Sequence, residues 1–258
     1  MRPFQNNGLV YYGFDLFAPF EELVHGVFTR HGGVSPPPCE GLNLAFLDAD
    51  REDNVRTNLD LAAEALDLDG LCFAGQVHGD RVLVVGNGDG CRPRSRAEVR
   101  RGYDALITRR PGMGLLVKLA DCQGVLLYDP RTRTLGLVHS GWRGSVKNIL
   151  GLTVSRMVEA FGVRPEDLRA GISPSLGPCC AEFVHYQNEL PRDFWDYEVG
   201  DRRFDFWAIS RDQLRAAGLK TEHIETAGLC TKCNGLTFYS YRRDPVTGRF
   251  GLIAGLRR

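Results

Sequence analysis

The stretch from residue 114 to residue 139 restricts the fold more than any other part of this chain. It reads as three strands in succession, "GLLVKLA" (114–120), "GVLLYD" (124–129) and "TLGLVH" (134–139), broken by turn signals at "DP" and "TRT". "RVLVVG" (81–86) and "ALIT" (105–108) precede them with the same strand length and composition, and "PG" turns the chain before residue 114. Helical spacing of apolar residues brackets this strand-dense middle. "VRTNLDLAAEALDL" (55–68) is one helix, and "GSVKNILGLTVSRMVEAFG" (144–162) is a second, with Val146, Ile149, Leu150, Met157, Val158 and Phe161 on its apolar stripe and Gly162 as its stop. "ISRDQLRAAG" (209–218) is a third, with Ser210 as N-cap and Gly218 as stop, whereas "SPPPCEG" (35–41) is a surface loop. Neither repeats nor long linkers interrupt the pattern, so residues 1–258 are expected to form one mixed α/β (α+β) domain.

Charge narrows the range of partners. Lys+Arg and Asp+Glu are both 32, so nothing favours nucleic acid or an anionic membrane. No run approaches the roughly 18 apolar residues of a membrane span, and the opening "MRPFQNNGLVYYGF" lacks the apolar centre of a signal peptide. A soluble, cytoplasmic protein is expected. Eight cysteines in 258 residues are too sparse for a disulfide scaffold, and a reducing compartment keeps them as thiols. Cys39, Cys72 and Cys91 have no neighbouring partner and read as small buried hydrophobes.

Cys122 and His139 flank one apolar segment, and three explanations compete: a nucleophile with its base, two metal ligands, or two buried side chains without chemistry. "HSGWRG" (139–144) is a strand-to-helix turn in which Gly141 and Gly144 permit a sharp bend. Amide N–H groups at the start of the next helix and the guanidinium of Arg143 there favour an anion such as phosphate or carboxylate. His78, in "GQVHGDRV" (75–82), lies just ahead of another strand. Together His78, Cys122 and His139 can supply three ligands to Zn²⁺ and leave the fourth tetrahedral position open, the pattern of a catalytic site.

The motifs "HGVFTRHGGVS" (25–35), "LNL" (42–44), "QVHG" (76–79), "DALIT" (104–108), "ADC" (120–122), "VHSGWRG" (138–144), "GISPSLGPCCAEF" (171–183) and "FYSYRRDPVTGR" (238–249) together resemble the YfiH family. Its members are variously labelled laccase-domain or polyphenol oxidase proteins, purine nucleoside phosphorylases and peptidoglycan editing factors. The resemblance runs in order along nearly the whole chain. It implies layered mixed β-sheets flanked by helices, similar to the catalytic domain of cytotoxic necrotizing factors, and a zinc ion held by His78, Cys122 and His139. It further implies phosphorolysis of purine nucleosides with deamination of adenosine, on substrates such as adenosine, inosine, guanosine and methylthioadenosine, with Arg30 and Arg143 as anion contacts. Two positions depart from the pattern: Asn58 is followed by Leu59 where members often carry Arg, and "HAGWRG" is replaced by "HSGWRG".

The laccase label meets an arithmetic obstacle. A four-copper oxidase needs about ten histidines, and this chain has six. Copper in place of zinc at the same donors remains compatible with their affinities, but a polyphenol oxidase would lack an axial ligand, since Met113 and Met157 show no sign of that role. The remaining alternative enzyme is a Cys–His hydrolase, with Cys122 as nucleophile and His139 as base, editing an amide in a peptidoglycan precursor. Finally, "CTKC" (230–233) with Cys179 and Cys180 offers thiolates for a second, structural zinc, and a protein holding only that ion would be a binding module without catalysis.

Overall fold

A computed structural model describes residues 1–86 and 92–258; Cys91 lies outside them. The strands are β1 (Arg2–Asn6), β2 (Leu9–Gly13), β3 (Leu23–Phe28), β4 (Gly70–Cys72), β5 (Val82–Val84), β6 (Ala105–Thr108), β7 (Met113–Leu119), β8 (Gln123–Asp129), β9 (Thr134–Ser140), β10 (Arg169–Ile172), β11 (Ile224–Thr226) and β12 (Phe250–Leu256). The α-helices are α1 (Glu52–Ala65), α2 (Trp142–Val146), α3 (Ile149–Phe161), α4 (Tyr186–Glu189) and α5 (Phe206–Ala216). Among the described residues the strands form two six-stranded sheets, ordered β1-β2-β3-β12-β7-β4 and β11-β10-β8-β9-β6-β5. Both are mixed: β4 lies parallel to β7, β5 to β6 and β10 to β11, whereas the remaining pairs are antiparallel.

Alternation along the strands explains the layering, because successive side chains leave a strand on opposite faces. In β7, Leu115, Val117 and Leu119 enter a central core together with Leu126 and Tyr128 of β8 and Leu135 and Leu137 of β9. Leu116 points the other way, toward Val55, Leu59 and Ala62 of α1. Likewise Val125 and Leu127 of β8 turn outward to Ile149, Leu150, Val154 and Met157 of α3. The result is helix, sheet, sheet, helix. Both faces of the middle strands are covered, which is why they read as unbroken apolar runs; each fully buried Leu or Val contributes about 1.5–3 kcal/mol through that burial. No helix among the described residues is long and apolar enough to cross a membrane.

The expected elements are corrected in four places. The helix expected over 144–162 is two helices, broken at Asn148, which takes the left-handed conformation (φ +55°) and whose side chain accepts the Gly151 N–H. Asn tolerates that conformation and caps the new helix at once. The first helix begins at Glu52, ahead of residue 55, where Asp50 accepts the Arg51 N–H and the Asn54 amide. The third begins at Phe206 with Asp205 as its cap, accepting the Ala208 N–H at 2.9 Å; Ser210 sits on its buried face and donates to Gln123 Oε1. Cys72, read as a thiol, is disulfide-bonded. Gly162 (φ +65°) and Gly218 (φ +100°) do end their helices.

Candidate metal centre and its cavity

Strand pairing assembles the cluster. In the β8–β9 hairpin Gly124 lies opposite His139 and Gln123 opposite Ser140, so Cys122, one residue ahead of β8, arrives beside the end of β9. On the other side of β9, Ala105 of β6 pairs with Val138, and Asp104 accepts the His139 N–H through its carbonyl at 2.7 Å. Because β5 runs parallel to β6, the loop leading into it carries His78 to the same corner. The donor atoms of His78, Cys122 and His139 all lie within 4.8 Å of one another, with His78 Nε2 3.7 Å from Cys122 Sγ.

Two residues of this corner adopt backbone conformations unusual for L-residues. His78 has φ +57° and Asp121 has φ +91°. Such strain persists only where the surroundings over-determine it, and here they do. The Asp104 carboxylate accepts the N–H groups of Val77 (3.2 Å), His78 (3.0 Å) and Gly79 (2.8 Å). Asp121 accepts from Thr231 Oγ1 at 2.7 Å and from the Arg242 N–H at 2.6 Å, while its carbonyl accepts the Leu176 N–H.

Electrostatics prepare Cys122 and His139, with Asp104 behind them. Burial pushes the Asp104 carboxyl up, but the hydrogen bond from His139 Nδ1 at 2.8 Å and the N–H groups of Gly79 and Val77 pull it down to about 2. Burial pushes the His139 imidazole down, yet the Cys122 sulfur and Asp104 raise it to about 9. Burial likewise opposes ionisation of Cys122, and the imidazoles of His139 and His78 overcome it, bringing the thiol down to about 6. At neutral pH the metal-free cluster is therefore a thiolate facing an imidazolium. One soft sulfur and two imidazoles, with a carboxylate orienting one ring from behind, suit a zinc-class ion and leave one position open. Gly141 is needed here for space: its φ is −81°, but a Cβ on it would lie 2.9 Å from Cys122 Sγ and 2.8 Å from His78 Cδ2. At Gly144 the nearest obstacle to a Cβ is Ile149 Cγ2, at 3.3 Å.

The cluster sits in a cavity of about 830 Å³. Arg143 lines it, as do Arg101, Arg242, Arg249 and Lys118; among the described residues none of these five is ion-paired with a carboxylate. Arg96, a further lining residue, pairs with Asp48. Trp142, Phe183 and Phe206 form an aromatic wall, with ring centroids 6.0 Å apart for the first pair and 5.2 Å for the second. Arg30 is not brought here. It lies over the Tyr239 ring, donates to the Gly235 carbonyl, and borders a separate depression with Lys232, Cys233 and Arg243. Leu59 packs into the core behind α1, so the departure from the usual Arg does not touch the cavity.

Sequence reasoning missed Lys118 and Asp104. Lys118 interrupts an otherwise apolar strand, donates to the Ala74 carbonyl at 2.8 Å and is brought down to about 7 by burial, with Asp104 opposing that fall. A lone charge inside "GLLVKLA" was the available signal. His25, by contrast, is a core histidine: its Nε2 accepts the Phe14 N–H, and burial holds it near 4. Cys179, Cys180, Cys230 and Cys233 form a second group whose sulfurs lie within 4.8 Å of one another.

Comparison with known proteins places this architecture among relatives. Residues 24–257 match a family model described as multi-copper polyphenol oxidoreductase laccase. A purine nucleoside phosphorylase of Bacteroides thetaiotaomicron is 32% identical over 243 residues, covering 90% of each chain. The purine nucleoside phosphorylase YlmD of Bacillus subtilis is 31% identical, covering 92% of this chain and 90% of its own. Among solved structures, the hypothetical protein YfiH of Bacillus licheniformis superposes with a TM-score of 0.89 at 30% identity, and YlmD of Geobacillus stearothermophilus with 0.87 at 30%; each covers 98% of both chains.

Proposed function

Because the chain belongs to the YfiH family of laccase-like proteins, we propose that it is a zinc-dependent purine nucleoside phosphorylase. One observation carries the reading. Four arginines and a lysine without carboxylate partners among the described residues converge on one cavity above the Cys–His–His cluster, beside an aromatic wall. Guanidinium forks hold a phosphate dianion bidentately, and the flat faces of Trp142, Phe183 and Phe206 suit a purine. In that arrangement a phosphate oxygen is presented to C1′ of the ribose; the C1′–O bond forms as the C1′–N9 bond breaks, and the purine takes up a proton. Zinc held by His78, Cys122 and His139 supplies Lewis acidity at the cavity floor. Asp104 keeps the His139 ring turned so that Nε2, not Nδ1, faces the other donors.

We extend the reading to deamination of adenosine, with water replacing phosphate: its oxygen bonds to C6, the C6–N6 bond breaks, and the amino group takes up a proton and leaves as ammonia. The carboxylates on the cavity wall are already engaged, Asp48 by Arg96 and Asp121 by Thr231 and the Arg242 N–H. Proton transfer in that reaction falls to Lys118, poised at about 7. Oxidation of polyphenols is less well supported, because Met113 and Met157 are buried in the two cores and do not line the cavity. Copper would enter the same donors only as a substitute for zinc.

A second reading has its own observation in favour. Cys122, His139 and Asp104 form a thiolate, imidazolium and carboxylate in series, the order required of a cysteine amidase, with a peptidoglycan precursor as substrate. The experiment is a parallel incubation of zinc-loaded protein with inosine plus phosphate, with adenosine, and with a muropeptide precursor, products being followed by mass. Ribose 1-phosphate with hypoxanthine is expected. Amide cleavage alone would replace the first reading with the second.

A further inference from the structure

Cys179 and Cys180 lie between β10 and α4; Cys230 and Cys233 lie in the loop after β11. The two segments are joined at the backbone by a bridge between Ser175 and Cys230, with the Ser175 N–H donating to the Leu229 carbonyl and the Thr231 N–H to the Ser175 carbonyl. Cys233 Sγ lies 3.7 Å from Cys179 Sγ and 3.6 Å from Cys180 Sγ, and all four sulfurs fall within 4.8 Å of one another. Those separations are informative. A disulfide requires about 2.05 Å between sulfurs, whereas four thiolates about 2.3 Å from a central ion stand about 3.8 Å apart along each tetrahedral edge. Clusters of several irons spread their thiolates wider than one ion does.

Backbone donors reach one of the four sulfurs. The N–H groups of Cys233 and Gly177 donate to the Cys230 sulfur, the kind of second contact that orients and neutralises a thiolate ligand. Four thiolates around a divalent ion leave a net charge of −2, and Arg30 and Lys232 share a surface depression with Cys233, where Arg243 is paired with Asp244. Gly177 has no room for a side chain, since a Cβ there would meet Trp207 at 2.8 Å and the Cys230 Cβ at 3.0 Å. This gives Arg30 a place in the molecule distinct from the cavity.

We propose that Cys179, Cys180, Cys230 and Cys233 hold a second, tetrahedral metal ion of the zinc class, structural in role, that braces the loop beneath Cys122. The brace is short. Thr231, next to Cys230, hydrogen-bonds Asp121 Oδ1, and Leu176, next to Ser175, hydrogen-bonds the Asp121 carbonyl. Asp121 is the strained residue immediately before Cys122. The second ion thus ties both segments that fix that strain, whatever the substrate of the cavity.

The test is metal content by mass spectrometry of native protein, purified without a metal-binding tag, for the wild type and for Cys122→Ala, Cys230→Ser and Cys233→Ser. Two zinc ions per chain are expected in the wild type and one in each variant, with residual cobalt loading separating the sites. Cys122→Ala loaded with Co²⁺ should keep an intense sulfur-to-cobalt charge-transfer band, and Cys230→Ser should lose most of it. Should Cys230→Ser fail to fold, Cys233→Ser, at an exposed position, carries the same comparison. One zinc in the wild type, removed entirely by Cys122→Ala, overturns the proposal. So does peptide mapping of freshly isolated protein that finds these four cysteines paired as disulfides.

Discussion

Oδ1 of Asp104 lies 2.8 Å from Nδ1 of His139, and the same carboxylate accepts three consecutive N–H groups from the loop that carries His78. One buried side chain therefore sets the position of two of the three candidate ligands. Replacing it with Asn should weaken zinc binding by about 10–100-fold, the usual effect of losing a carboxylate behind a ligating histidine. Competition with a fluorescent chelator measures this directly. Unchanged affinity would remove Asp104 from the metal site.

The same carboxylate has a signature in stability. Its folded value, about 2, lies below its ordinary 3.8, so its contribution is fully present above about pH 4 and is lost as pH falls toward 2. The difference corresponds to about 2 kcal/mol. In metal-free protein, denaturant titrations between pH 5 and 2 should show a shallower acid decline for Asp104→Asn than for the wild type. Parallel declines would show that the carboxylate is not held ionised.

Lys118 links anion binding to pH with the opposite sense. Burial brings its ammonium down to about 7, so it is cationic below that pH and neutral above it. The lysine's share of phosphate affinity should fade as pH rises through 7. Lys118→Met should raise the phosphate KM about tenfold at pH 6 and far less at pH 8.5, the loss of one charged hydrogen bond. Phosphate's own ionisation is common to both proteins and cancels in the ratio. A ratio that does not vary with pH would assign Lys118 to scaffolding.

Arg143 and Arg30 come from the same motif reading but occupy different places. Arg143 faces the cavity, whereas Arg30 lies over Tyr239 beside Cys233. Arg143→Ala should raise the phosphate KM about tenfold or more while leaving zinc content and adenosine deamination largely intact. Arg30→Ala should leave the phosphate KM unchanged. The reverse pattern would move the anion site out of the cavity.

The middle of the fold is legible because β6 to β9 are apolar and separated by turn residues, and the cluster is legible because Cys122 and His139 sit beside strand ends and His78 lies in the loop ahead of β5. Asp104 is not, since its role depends on β6 lying beside β9, a non-local pairing that no local pattern encodes. Arg101, Arg242 and Arg249 reach the cavity from distant segments for the same reason. The break at Asn148 is hidden because the apolar spacing continues across it, and Ser210 does not cap the third helix because the helix already starts at Phe206 behind Asp205, leaving Ser210 on its buried face against Gln123.

Gly141 and Gly144 give a paired test of why glycine occupies each position. An Ala at 141 would press on both Cys122 and His78, so Gly141→Ala should lose zinc at the first site. Gly144→Ala meets only Ile149 at 3.3 Å inside a helix, where Ala is favoured over Gly by about 0.5–1 kcal/mol, and should retain the metal. Equal metal content in the two variants would mean that the cluster is looser than its geometry indicates.

Whether Cys122 acts as ligand or nucleophile can be read from its reactivity. In metal-free protein the thiol should be alkylated by iodoacetamide with a midpoint near pH 6, well below the ordinary 9, because His139 and His78 hold the thiolate against the cost of burial. On the proposed zinc-dependent reading, the ion would tie up the same sulfur. The loaded protein should therefore resist alkylation at Cys122 across that range, lose phosphorolysis on treatment with a chelator, and regain it with Zn²⁺. His78→Ala sharpens the distinction, since the series Cys122, His139, Asp104 needs no second imidazole whereas a three-ligand centre does. That variant should bind zinc at least tenfold more weakly. Rapid alkylation of the native protein, with turnover that survives both the chelator and His78→Ala, would instead make Cys122 the nucleophile of an amidase.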